Sequence, residues 1–199
     1  GGGGGGHFGG GLQGLNSSKM MGANFNYNRN KIFILDGSIR WNHSNGDVRT
    51  EQSTENFVSN IGSFSNSFNQ NYTRSNSWDA RLRMEWKPDT MTNIMFRPTI
   101  KYSTSDGLSL STSASYNDDP YLYVTNPLSP ESILQMAEDS LMVNTRKNNS
   151  ITYSENKSLG IMLQINRKLN SKGRNVTLRT NVTYNDNKSK SLSTSNVHL

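Results

Sequence analysis

Cysteine is absent from the chain, so it can hold no disulfide framework, thiolate nucleophile or cysteine-bound metal. Long apolar runs are missing as well. Nowhere do about 18 apolar residues follow one another, which excludes a transmembrane helix. Histidine is scarce: His7, His43 and His198 stand far apart, and none has a partner at metal-ligand spacing. No metal, cofactor or catalytic residue is therefore expected. A methionine start and a charged-then-apolar leader are also missing, as expected if a signal peptide was removed or the chain is a piece of a longer one. Hydrophobic residues make up only 32% of the 199, and the mean hydropathy is −0.73. Taken alone, those values describe a soluble or partly disordered protein.

What the chain has in excess is Asn (27) and Ser (28), together over a quarter of its residues. Such side chains suit wet loops and a water-filled lumen better than a close-packed core. The net charge of +6 comes from scattered Lys and Arg. Nucleic-acid binding requires clustered cations, often with stacking aromatics between them, so nucleic acid is not an expected partner. Gly1 to Gly14 is mostly glycine but lacks the Gly-Lys-Ser/Thr ending of a phosphate-binding loop, and 1–17 reads as a flexible loop. Asn117-Asp118-Asp119 lacks the ordered ligand series of a calcium loop and reads as a solvated turn.

The informative feature is a period of two. From Trp78, every second residue is Ala80, Leu82, Met84 and Trp86, while Asp79, Arg81, Arg83 and Glu85 fall between them. After a breaker at Pro88-Asp89-Thr90 the pattern restarts. Ile94, Phe96, Pro98, Ile100 and Tyr102 form one face, and Arg97, Thr99 and Lys101 the other. Successive strand side chains point to opposite faces, so this is an antiparallel ribbon with one greasy and one charged surface. Four more segments alternate in the same way. The expected strands are about 18–28, 31–42, 72–87, 92–103, 150–169 and 174–186. Ile32 and Ile34 interrupt the polar face of the second.

An outward apolar band around a polar interior is what a transmembrane β-barrel requires. The fold expected is thus all-β: an antiparallel transmembrane barrel segment of about six strands, with long extracellular loops and one short loop helix. Connections alternate between short (28–31, 87–92, 169–174) and long (43–71, 104–150, after 185), as in barrels with short periplasmic turns and long outer loops. The helix is expected over 130–142. Ser129 would cap it, Pro130 would take its first position, and Ile133, Met136, Ala137 and Leu141 would lie at helical spacing. Trp41, Trp78, Leu82, Trp86, Phe96, Tyr102, Leu163 and Leu178 are expected to face lipid. Arg40, Arg81, Arg83, Arg97, Lys101 and Arg179 are expected to face the lumen, opposite Asp36, Asp79 and Glu85, either as a ladder of ion pairs or as a basic wall for anionic solutes. Six strands do not close a barrel, since bacterial single-chain barrels start at 8.

The run from Gly173 to Tyr184 (Gly-Arg-Asn-Val-Thr-Leu-Arg-Thr-Asn-Val-Thr-Tyr) resembles strands of the TonB-dependent receptor-like outer-membrane β-barrel family. So do Asn156-Lys157-Ser158-Leu159-Gly160 and the Gly-rich opening. The resemblance spans nearly all 199 residues but only part of the family's barrel. It implies the outer membrane of a Gram-negative bacterium, contact with lipid, an extracellular nutrient as ligand, and coupling to the TonB complex through a plug. The plug and the TonB-contacting segment are not in these residues, so no family site residue carries over. The missing terminal aromatic fits truncation. Two functions follow as expectations: import of a bulky nutrient, or surface display and adhesion without transport. A soluble secreted adhesin is a third.

Overall fold

The computed structural model describes residues 7–8, 13–56 and 64–198. Seven strands form one antiparallel sheet: β1 (His7–Phe8), β2 (Gln13–Arg29), β3 (Phe33–Glu55), β4 (Phe64–Asp89), β5 (Thr92–Tyr116), β6 (Met142–Lys168) and β7 (Asn175–His198). Six are long. The two-residue β1 pairs with β3 beyond the end of β2, His7 opposite Thr54. From β2 to β7 each strand pairs with the next, a plain meander, and the sheet is not closed. One helix, α1 (Pro130–Glu138), lies between β5 and β6.

The strands run well past the ranges that alternation marks. Residues 43–55 and 64–71 belong to β3 and β4, not to a loop. Residues 104–116 and 142–149 continue β5 and β6. The Ser-rich tail after 186 continues β7 to His198, and β2 begins inside the glycine-rich opening. The physical reason is that the ladder is built by backbone N–H and C=O groups, which pair whatever the side chains are. Apolar alternation reports only where one face leaves water. Phe57, Ile61, most of the glycine-rich opening and Leu199 lie outside the described residues.

Short turns join β2 to β3, β4 to β5 and β6 to β7. At the first, the Ile32 N–H donates to the Arg29 carbonyl while Asn30 and Lys31 take φ of 50° and 59°. Asparagine tolerates that left-handed conformation; lysine is strained by it. At the second, Asp89 accepts from the Met91 N–H and the Thr92 hydroxyl.

The helix forms for the reasons legible in its start. Ser129 Oγ accepts from the Ser132 N–H, and Pro130 occupies the first turn, where its missing N–H is no loss. It is shorter than the expected 130–142. Ser140 turns left-handed at φ 56°, and the Leu141 N–H bonds back to the Met136 carbonyl, ending the helix. Its Met136 is 1% exposed, packed with Ala114 and Tyr116 against Phe64, Leu128 and Leu141. Ala114, Tyr116 and Met136 make up the buried hydrophobic core among the described residues. The rest of the sheet is a single layer.

Candidate functional surface

Strand register aligns the apolar positions across the whole sheet. One row reads Met21, Trp41, Trp78, Tyr102, Lys157, Asp186. Six residues along β4, the row reads Tyr27, Leu35, Met84, Phe96, Leu163, Thr180. Two further, it reads Arg29, Phe33, Trp86, Ile94, Ile165, Leu178. All eight residues expected to face lipid therefore share one face. The band is bounded by Trp41, Trp78 and Tyr102 at one end and by Phe33 and Trp86 at the other. Trp41 and Trp78 rings lie 6.1 Å apart across the β3–β4 pair. Nothing described covers this band: Trp78 is 46% exposed, Ile100 52% and Leu178 59%.

The six candidate cations share the opposite face. Gly22, Arg40, Asp79, Lys101, Ser158 and Asn185 form one row, and Arg81 and Arg83 follow along β4. A full ladder of ion pairs does not form. Arg83 bonds Asp36 through Nε at 2.7 Å, across the β3–β4 pair. Glu85 pairs instead with Lys87 along its own strand, at 3.6 Å. Arg179 donates to the Met162 sulfur at 3.5 Å. Among the described residues no ion pair reaches Arg40, Arg81, Arg97 or Lys101. The face is a mixed polar surface with an excess of positive charge. Ile34, beside Glu85, stands on it as the sequence suggested.

The segment 117–141 folds over the far end of the apolar side. Tyr116 Oη donates to the Pro127 carbonyl at 2.9 Å, and burial pushes this phenol's pKa up. Ser53 Oγ meets Tyr121 Oη at 3.2 Å. The strand residues it covers, Ser53, Asn66, Phe68 and Ala114, lie an even number of steps from Trp41, Trp78 and Tyr102 on continuous ladders. A pocket of about 250 Å³ remains beneath it, lined by Glu51, Phe68, Thr112 and Tyr121 among others. Tyr121 and Tyr123 stay exposed, and the Asp118 carboxylate that accepts from Tyr123 Oη raises that phenol's pKa. Sequence reasoning placed these aromatics in an outer loop; it had no signal for which face the loop would take.

Among the described residues no group of three or more His, Asp or Glu is placed to hold a metal. Compared with known proteins, the chain matches no family model and no curated sequence.

Proposed function

We propose that this chain is part of the wall of an outer-membrane TonB-dependent receptor that imports a bulky nutrient. The observation that carries the reading is the uncovered apolar band, continuous over six strands and edged by aromatics at both ends. A soluble protein rarely exposes so large an apolar surface, whereas a barrel wall presents such a surface to lipid between two aromatic girdles. From Trp78 to Trp86 is eight steps of about 3.3 Å, or roughly 20 Å of depth at a tilt near 40°, close to the roughly 25 Å band of such barrels. Arg40, Arg81, Arg83, Arg97, Lys101 and Arg179 then line the lumen. An open edge finds no backbone partners in lipid, so closure requires further strands beyond those described.

The alternative is a display or adhesion barrel without transport. One observation favours it: the segment 117–141 packs on the lipid-facing side of the wall extension and so does not arch over the lumen face.

Fractionation tests the common part of both readings. The full-length protein should sit in the outer membrane and migrate as a heat-modifiable species. Recovery in the aqueous fraction would return it to the soluble adhesins.

A further inference from the structure

The three short turns at one end of the sheet carry a charge pattern that the import reading does not use. Arg29 and Lys31 belong to the first turn, Lys87 to the second, and Arg167, Lys168, Lys172 and Arg174 to the third; all seven are exposed. The only acid in these three turns is Asp89. The opposite end is the reverse. The segment 117–141 holds Asp118, Asp119, Glu131, Glu138 and Asp139 and no Lys or Arg.

The turns are not independent hairpin tips. The Lys87 N–H donates to the Ile32 carbonyl at 2.8 Å, and the Lys168 N–H donates to the Met91 carbonyl at 2.8 Å. Those bonds tie the three turns into one rim, five strand spacings or about 24 Å wide. Between the second and third turns lies an open groove of about 550 Å³ whose walls include Lys87, Arg167, Lys168 and Thr177. Asp89 also stands there, but its carboxylate is engaged by the Met91 N–H and the Thr92 hydroxyl. The row carrying Trp86, Ile94, Ile165 and Leu178 ends immediately beside this groove, so apolar wall and cationic rim meet within one or two residues.

We propose that this rim binds the phosphate of anionic phospholipid headgroups, with the groove between Lys87 and Lys168 as its principal seat. The proposal rests on the membrane reading above. Charge complementarity selects the occupant: seven cations stand against Asp89, engaged within its own turn, and Glu85, paired with Lys87 at 3.6 Å, and this excess of positive charge attracts anions. Their position just past the aromatic edge of the apolar band is the depth at which headgroups lie. A phosphate there can take Lys and Arg donors while its acyl chains follow the apolar rows.

Trp86 is the reporter. In the full-length protein with Trp41→Phe and Trp78→Phe, Trp86 is the tryptophan of these residues beside the rim. Any other tryptophan of the chain would be replaced in the same way. The protein is reconstituted in vesicles of brominated phosphatidylglycerol or, separately, brominated phosphatidylcholine, each diluted in the unbrominated choline lipid, and quenching of Trp86 is compared. One engaged cation should give about a fivefold preference for the glycerol lipid. The preference should vanish at about 1 M salt, where the Debye length falls to about 3 Å, and in a Lys87→Gln, Arg167→Gln, Lys168→Gln variant that still migrates as a folded barrel. Equal quenching by both lipids would overturn the proposal while leaving the membrane reading intact. A preference that survives the triple substitution would overturn the assignment to this groove. No quenching by either lipid would sink the membrane reading, and the rim proposal with it.

Discussion

Glycine 37 shows how one missing side chain shapes the wall. A Cβ there would meet the Phe25 ring at 2.7 Å and the Arg81 carbonyl at 2.9 Å, so the aromatic of β2 lies directly over the bare backbone of β3. Gly37→Val should force that ring aside and cost about 1–3 kcal/mol in chemical unfolding. Lys31 presents the opposite case, a side chain where none is wanted. Its φ of 59° favours glycine, so Lys31→Gly should stabilise the hairpin by about 0.5–1 kcal/mol, read in the same assay. Face identity separates Leu82 from its neighbour Arg83. In the membrane reading proposed above, Leu82→Arg places a charge toward lipid at a cost of roughly 2–4 kcal/mol near the midplane. Arg83→Leu loses only the half-exposed pair with Asp36, about 0–1 kcal/mol. Equal losses in heat-modifiable folding would reverse the assignment of the two faces.

At the scale of elements, α1 is an appendage whose one deep anchor is Met136. Met136→Gly removes that anchor and adds about 1 kcal/mol of helix penalty, and truncating such a buried side chain typically costs about 2–5 kcal/mol. Limited proteolysis should then cut within 117–141 while the sheet keeps its heat-modifiable migration. Loss of the whole fold would make the helix part of the core. The β4–β5 turn should respond to acid. Hydrogen bonds from the Met91 N–H and Thr92 hold the Asp89 carboxyl below the usual range. Its folded pKa is thus lower than its unfolded one. The turn is stabilised above the unfolded value, near 3.9, and that support is lost as pH falls through the folded value. Asp89→Asn should flatten this acid limb of the stability profile.

For the whole molecule, the ladders reach far beyond the band that lipid would cover. β6 has 27 residues, about 90 Å of strand, against the eight steps from Trp78 to Trp86. In the import reading, most of each strand then stands outside the membrane as a tall extracellular wall, with the 117–141 segment clasped to its side. Uptake in cells should collapse when the proton gradient is removed, although surface binding persists. Unchanged uptake without the gradient would mean a passive pore, and a full-length gene encoding no plug would favour the display barrel.

Alternation by itself determined which residues share a face, because side-chain direction in a strand has a period of two and a one-residue slip would invert it. That period alone puts Trp78, Leu82 and Trp86 on one side and Arg81 and Arg83 on the other. The three short turns and the start of α1 were also legible, since Asn30, Pro88 and Ser129-Pro130 act locally. Strand length was not, because Asn- and Ser-rich stretches such as 43–55 pair through their backbones and leave no pattern in their side chains. Nor was the side on which 117–141 settles, which rests on the contact of Met136 with Ala114 and Tyr116, residues distant in sequence from the helix start. The joining of three separate basic turns into one rim was likewise decided only in three dimensions. It depends on hydrogen bonds from Lys87 to Ile32 and from Lys168 to Met91, each between segments brought together by the meander.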